Sequence, residues 1–140
     1  MASLNTRVKT DADAHHPITD GKWSVSEIIA HLGEWDRFMR EERVPFMKEG
    51  AVIEPFPDVD VFNRKAVENV KMTPFPSILA NAQKQRALLA KAIKGLDPAV
   101  YGASFSVGSD HITTAEYFEG LLSHDAHHRG QIDVFLETRA

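Results

Sequence analysis

The sequence predicts an all-α protein, a mostly antiparallel four-helix bundle with a short or incomplete first helix. Three observations indicate this fold. Two long runs, which begin after Ser24 and after Thr113, have a glutamate three residues after the capping residue and apolar residues at three-and-four spacing. A third run begins at Thr73 and Pro74 and ends at Gly95, where a glycine commonly terminates a helix.

Length and composition indicate one globular domain. The chain has 140 residues, of which 43% are hydrophobic and 26% charged, and the apolar residues are distributed along its whole length. A chain of this size buries a single core without needing disulfides. We therefore expect one domain over residues 1–140, in which residues 1–20 are irregular or form a short helix.

The charge balance and the lack of cysteine argue against several functions. A net charge of -4 provides no basic surface for phosphates, so we do not expect a nucleic acid partner. No run reaches the roughly 18 to 20 apolar residues of a membrane span, and the start lacks an apolar signal-peptide core. We therefore expect a cytoplasmic protein without a membrane partner. Because there is no cysteine, any metal must be held by nitrogen and oxygen atoms.

The first long helix is predicted from about Val25 to Met47. Ser24 and Glu27 have the spacing of a capping box, which satisfies free backbone N–H groups at a helix start. His31 lies at the edge of the apolar stripe that would face the core. That stripe consists of Val25, Ile28, Ile29, Leu32, Trp35 and Met39.

The middle of the chain is predicted to contain a loop and two further helices. Gly50 and the following prolines indicate a loop to about Asp60, and a short helix follows over residues 61–70. Residues 97–109 are expected to form an extended loop or a strand fragment with no chemical role. The helix from Thr73 to Gly95 is expected to face inward with Ile78, Ala82, Gln85, Leu89, Ala92, Ile93 and Leu96.

The last helix is predicted from Ala115 to about Leu136, because Thr113 and Glu116 repeat the capping-box spacing. His124 and His128 project onto the apolar face of this helix, one turn apart. The apolar members of the face are Tyr117, Phe118, Leu121, Ile132, Phe135 and Leu136.

The spacing of His124 and His128 lets both imidazoles share one metal ion. Two buried imidazoles without partners cost on the order of a few kcal/mol, a penalty that a shared metal removes. The alternative is that each is a core histidine bonded to a neighbour, or that one is exposed. His31 is the histidine elsewhere that would supply a third ligand. Three nitrogen ligands leave a position for water, as in catalytic zinc sites, and nickel, iron or manganese accept the same ligands.

Carboxylates near these histidines are candidates for catalysis. Asp125 either fixes the orientation of a ligand histidine or pairs with Arg129 on the same helix. Glu34 is a candidate general base or, alternatively, a solvated carboxylate, and Glu27 is more simply the capping residue.

The remaining candidates concern a substrate pocket. Trp35, one turn after His31, is either a core aromatic or a wall of the pocket. Arg129 and Gln131 either orient a substrate carboxylate or carbonyl, or lie on the helix surface. The other histidines are expected to be solvated or peripheral, and they are His15, His16, His111 and His127.

Three stretches carry a resemblance to the DinB/YfiT-like family of metal-dependent four-helix-bundle proteins. They are "GKWSVSEIIAHL", then "VDVFNRKAV" with the helix "ILANAQKQRALLAKAIKGL", and "HDAHHRGQI". The resemblance extends from about Gly21 to Leu136. It implies metal ligands at His31 in the first motif and at His124 and His128 in the last.

The resemblance also implies a function. Members with known activity include hydrolase-like enzymes and transferases that use a low-molecular-weight thiol, with the metal activating water or the thiol toward a small electrophilic substrate. Here the thiol would be external, because the chain has no cysteine. The alternative is a non-catalytic, metal-stabilised binding or dimerisation module. Since only about twenty residues precede Trp23, fewer than a full first helix needs, we expect a homodimer that packs over the gap.

Overall fold

The computed structural model describes residues 10–55 and 57–138, which are mostly helical. The predicted helical bundle is confirmed, and a small sheet accompanies it. The helices are α1 (Asp11–His15), α2 (Val25–Phe38), α3 (Val59–Ala66), α4 (Phe75–Lys94), α5 (Pro98–Tyr101) and α6 (Thr114–Thr138). The strands are β1 (Val52–Ile53), β2 (Ser104–Val107) and β3 (Asp110–Thr113).

The start of the chain contributes only α1 to the described bundle, and residues 1–9, on which part of the short-helix prediction falls, lie outside the described residues. Asp11 connects α1 to the start of α4, because its Oδ1 accepts a hydrogen bond from the Phe75 backbone N–H at 2.6 Å. His15 was expected to be solvated, but its Nε2 lies 3.0 Å from the carbonyl oxygen of Thr73 and the side chain is half-buried.

Helix α2 begins as predicted, because Ser24 and Glu27 form both hydrogen bonds of the capping box. The regular α-helix ends earlier than predicted, at Phe38. The chain continues as a π-helical turn over Met39–Arg43 and a 3-10 turn over Val44–Phe46. Pro45 explains the change, since proline lacks an N–H and its ring collides with the carbonyl four residues earlier.

The other two long helices follow the predicted boundaries closely. Helix α4 ends before Gly95, and α6 starts with the second capping box, in which Glu116 Oε1 accepts a hydrogen bond from the Thr113 backbone at 3.2 Å. Helix α3 is shorter than the predicted helix over residues 61–70 and begins after Asp58, whose side chain caps it. No helix within the described ranges has the length and apolar character needed to cross a bilayer.

The sheet has the strand order β1-β2-β3, with β1 and β2 parallel and β2 and β3 antiparallel. The two-residue connection Gly108–Ser109 joins β2 to β3, and Gly108 has a φ of +60°. A glycine in the left-handed region at the first turn position is typical of a tight hairpin. The segment predicted as a loop or strand fragment is therefore a helical turn followed by most of a hairpin.

The core consists of two apolar clusters with polar side chains between them along each long helix. On α2 the first cluster reaches Leu32, and the second begins at Met39 in the π-helical turn that follows this helix. On α4 the first cluster contains residues up to Ala82, and the second begins at Leu89. On α6 the first cluster begins at Ile132, and the second contains Tyr117. Asp36, Arg86, His124, Asp125 and His128 are among the polar residues between these limits, and His31 lies one residue before Leu32.

Candidate metal centre

The side chain of His31 is buried in the interior of the bundle, with 3% of its surface exposed. Its ring lies between two tryptophans, with centroid distances of 4.9 Å to Trp23 and 6.4 Å to Trp35. Neither ring nitrogen has a hydrogen-bond partner in the described part of the chain. A buried polar group without a partner is costly, so these nitrogens require an explanation.

His124 and His128 approach His31 from α6. Their Nε2 atoms are 3.1 Å apart, and their ring centroids lie 5.4 Å and 5.1 Å from that of His31. One nitrogen from each of the three rings lies within 4.8 Å of the other two. Among the described residues, this trio is the group of histidines and carboxylates whose geometry suits a metal ion.

All three imidazoles are held in their neutral form. Burial lowers the pKa of His31 to about 4, assisted by repulsion from His128 and His124. The side chain of Asn63 acts in the opposite direction and raises the pKa of His31, although it lacks the geometry of a hydrogen bond to the ring. Burial also lowers the pKa of His124 and of His128. Since a metal binds neutral imidazole, the trio needs no deprotonation at pH 7.

Gln131 orients one ring of the trio, and this differs from its predicted place in a substrate pocket. Its Oε1 lies 2.8 Å from Nδ1 of His128, which therefore donates to the carboxamide oxygen and leaves Nε2 toward the other histidines. A hydrogen bond of this kind to the second ring nitrogen is a common feature of metal-binding histidines.

Asp125 pairs with an arginine on another helix, Arg86 on α4. Its Oδ2 lies 2.6 Å from Nη1 of Arg86, and Arg86 also forms a bidentate pair with Asp36 at 2.7 and 3.1 Å. The predicted pairing with Arg129 or with a ligand histidine is therefore corrected. Burial raises the pKa of Asp36, whereas the two carboxylates raise the pKa of Arg86 against the effect of burial.

A cavity of about 580 Å³ opens onto this group of histidines. His31, His124 and Trp35 line it, so the predicted position of Trp35 beside the site agrees with the structure. Trp35 is fixed by a hydrogen bond of 3.0 Å from its Nε1 to Asn63 Oδ1 and by contact with Phe62 at a centroid distance of 4.2 Å.

Two further predicted site residues lie away from the cavity. Glu34 accepts a hydrogen bond of 3.1 Å from Arg37 on the surface of α2, and it does not line the cavity. Arg129 is exposed and also outside the lining. The roles suggested for them, general base and substrate anchor, are therefore not retained. Asp125 pairs with Arg86 through Oδ2, whereas its buried Oδ1 has no hydrogen-bond partner among the described residues, so its catalytic role stays a prediction.

Sequence reasoning missed part of the cavity wall. The β2–β3 hairpin contributes residues 107–110 and Ile112, and α3 contributes Val59 and Asn63. Residues 97–109 were expected to have no chemical role. The available signal was the pair Gly108 and Ser109 between two short β-forming runs, which is a hairpin pattern.

The fold and the trio define a class of protein, helical bundles with a candidate three-histidine metal centre. The sequence profile of the DinB superfamily matches residues 3–132, and the chain belongs to that superfamily.

The fold is also similar to a solved structure. YfiT from Bacillus subtilis, described as a "probable metal-dependent hydrolase with an unusual four-helix bundle topology", superposes with a TM-score of 0.76 at 20% identity. The similarity covers 99% of this chain and 80% of YfiT, and at this identity it establishes the fold alone. No protein of curated function matches the chain in sequence.

Proposed function

We propose that the protein is a metal-dependent hydrolase, in which His31, His124 and His128 hold a divalent metal that activates water toward a small electrophilic substrate. The observation that carries the proposal is the pair of unpartnered nitrogens on His31, buried beside two further neutral imidazoles at the wall of a cavity. Membership of the DinB superfamily and the description of YfiT agree with this function.

The chemistry of the three side chains fits a metal. Zinc binds histidine nitrogen at about 2.0 to 2.1 Å, so two tetrahedral ligands lie about 3.3 Å apart. The Nε2 atoms of His124 and His128 are 3.1 Å apart, which is close to that separation. Zinc and nickel suit imidazole ligands best, and iron or manganese accept them. The three histidines are one ligand fewer than the usual four of a closed structural zinc site.

A divalent metal at this site would supply Lewis acidity to a substrate carbonyl and lower the pKa of water. The protein's own residues prepare the site for it. Gln131 keeps the proton of His128 on Nδ1, which makes Nε2 available as a ligand. Trp23 and Trp35 pack against the ring of His31 and fix its position. The mostly apolar cavity then admits a small molecule beside the histidines.

Two other functions use the same three ligands. In a transferase the metal would activate an external low-molecular-weight thiol. In a binding or dimerisation module the metal would have only a structural role. Turnover assays separate the three functions. Metal-loaded protein is supplied with a nitrophenyl ester in buffer, and with an electrophilic haloarene with and without cysteine or glutathione. We expect metal-dependent ester hydrolysis that a chelator abolishes.

A matched pair of variants makes this assay specific. His31→Ala removes a proposed ligand, whereas His127→Ala removes an exposed histidine that lies next to His128 on α6. We expect hydrolysis to be lost in the first variant and kept in the second. Turnover that requires the thiol would assign the transferase instead. Equal activity in both variants, or no activity with any metal, would contradict the hydrolase.

A further inference from the structure

Gly120 lies in the interior of α6 and lines the cavity one turn before His124. A glycine inside a helix makes the folded state less stable than alanine does, because its backbone loses more freedom on folding. The backbone of Gly120 is ordinary α-helix, so no left-handed conformation requires a glycine there. The reason for this glycine must therefore lie in the space around it.

Helix packing does not require Gly120 either. Apart from its chain neighbours and the helix backbone, no described atom lies within 4 Å of the position that a Cβ at residue 120 would take. Gly33 on α2 shows the contrast, because a Cβ there would lie 3.3 Å from the Cα of Ala82 on α4. Gly33 thus permits close contact between two helices, whereas residue 120 has room for a side chain.

The room beside Gly120 belongs to the cavity that opens onto the histidines. Gly120 and His124 are four positions apart, which is about 6 Å along the helix axis at 1.5 Å per residue. Side chains of an α-helix lean toward its N-terminus, so the ring of His124 projects over the turn that contains Gly120. A side chain at residue 120 would therefore narrow the cavity beside a proposed metal ligand.

The walls of the cavity favour an apolar group in this space. The apolar side chains that line it include Trp35, Met39, Val59, Val107, Ile112 and Leu121. Asn63 is bonded to Trp35, and no lysine or arginine lines the cavity within the described ranges. Asp110 and Glu116 also line it, but both residues are exposed to solvent. An uncharged, apolar group would be buried here without leaving a charge unpaired.

We infer that Gly120 determines substrate specificity. Its missing side chain leaves room for a bulky apolar group, such as an aromatic ring, attached to the carbonyl that reacts at the three histidines. This inference rests on the proposed metal-dependent function. A larger residue at position 120 would restrict the protein to small acyl groups without any change in the histidines themselves.

Two hydroxamates test the inference, because they bind a metal through the same group and differ only in what is attached to it. Acetohydroxamic acid carries a methyl group, and benzohydroxamic acid carries an aromatic ring. Their affinities for the zinc-loaded protein are measured by titration calorimetry. We expect the parent to bind benzohydroxamic acid about tenfold more tightly, since the ring is buried against the apolar wall.

Matched substitutions on α6 locate the effect. Gly120→Leu fills the space, whereas Gly130→Leu adds the same side chain at a glycine with equally open surroundings that does not line the cavity. The preference for benzohydroxamic acid should fall below about threefold in Gly120→Leu and stay at about tenfold in Gly130→Leu. Affinity for acetohydroxamic acid and zinc content should be unchanged in both. Gly120→Ala should give an intermediate preference, and it decides the question if Gly120→Leu fails to hold zinc.

Thermal unfolding of the metal-free protein gives a readout that does not depend on zinc. Gly120→Ala and Gly130→Ala should each raise the thermal midpoint by about 3 °C, because the fold requires neither glycine. A lower midpoint in Gly120→Ala would show that packing needs this glycine, and it would overturn the inference.

Calorimetry of the parent distinguishes failure of the inference from failure of the proposed function. Equal affinity for the two hydroxamates in the parent, or the same preference in the Gly120 variants as in Gly130→Leu, would overturn the inference and leave the metal-dependent function standing. If neither hydroxamate binds the zinc-loaded parent, the function and the inference are both contradicted.

Discussion

Replacement of Arg86 by methionine removes the cation that joins the three long helices. In the folded protein Arg86 donates two hydrogen bonds to Asp36 on α2 and pairs with Asp125 on α6 at 2.6 Å. Methionine preserves an apolar stem of similar length. It leaves the carboxylate of Asp36, 1% exposed, without its counter-ion.

The expected loss of stability is about 3 kcal/mol at pH 8. Removal of one partner of a buried pair costs about 3 to 5 kcal/mol, because the remaining charge is stranded. The lower end applies, since Arg86 is 34% exposed and water reaches part of the pair. For a chain of this size the thermal midpoint should fall by roughly 10 °C.

The loss should depend on pH in a defined direction. Burial already raises the pKa of Asp36, and removal of the guanidinium raises it further. A carboxyl group whose pKa is higher in the folded state than in the unfolded state destabilises the fold as the pH rises through that range. The Arg86→Met variant should therefore lose less stability at pH 5 than at pH 8, because Asp36 then takes up a proton.

Urea denaturation at both pH values measures this effect, with Arg37→Met as the control. Arg37 pairs with Glu34 and Glu41 on the helix surface and is 35% exposed, so its replacement should cost less than about 1 kcal/mol. The reasoning about Asp36, Arg86 and Asp125 is refuted if Arg86→Met lowers the free energy of unfolding no more than Arg37→Met does at pH 8. It is also refuted if Arg86→Met lowers that free energy equally at both pH values.

Three further predictions concern the stability of the protein in acid, the loss of one hydrogen bond at the metal centre, and the addition of one methyl group in the hairpin. Because the pKa of His31 is about 4 when folded and 6.5 otherwise, the unfolded state takes up the proton first as the pH falls from 6.5 to 4. Through His31, metal-free protein should lose up to about 3 kcal/mol of unfolding free energy over that range in urea denaturation. His31→Leu should remove this share and leave the loss that His124 and His128 contribute; an unchanged profile would contradict it. Gln131→Leu should weaken metal binding about tenfold in chelator competition, because Nδ1 of His128 loses its acceptor; unchanged affinity would count against that role. Gly108→Ala should cost about 1 kcal/mol or more, since its φ is +60° and the new Cβ lies 3.3 Å from Pro55, whereas Gly102→Ala should be nearly neutral; equal effects would contradict this.

The long helices could be predicted because their signals are local. Ser24 with Glu27, and Thr113 with Glu116, specify helix starts within four residues, and the structure contains all of these hydrogen bonds. The inward position of His31 followed from the periodicity of the same helix. Periodicity could not reveal the π-helical turn after Phe38, which reflects the collision of Pro45 with the preceding turn.

The sheet could be predicted only in part. The parallel pairing of Val52 with Ser106 joins residues more than fifty positions apart, and neither short strand has a strong pattern by itself. The hairpin did have a local signal in Gly108 and Ser109, which the prediction of a loop or strand fragment did not use. Because the hairpin was not predicted, one wall of the cavity was missed.

The ion-pair partner of Asp125 could not be predicted from helical spacing. Helical spacing restricts attention to neighbours three and four residues away, and it indicated Arg129. Arg86 lies on another helix, and only tertiary packing brings it to Asp125. The homodimer and the cytoplasmic location, which also depend on more than local pattern, stay predictions.

The central claim is that two distant motifs form one metal site, and elemental analysis of the protein tests it most directly. Untagged protein is loaded with zinc or nickel, freed of excess metal by gel filtration, and compared with His31→Ala, His124→Ala and the control His127→Ala. We predict about one metal per chain in the parent and the control, and almost none in the other two. A parent that binds no metal, or a His31→Ala variant that retains it fully, would contradict the claim.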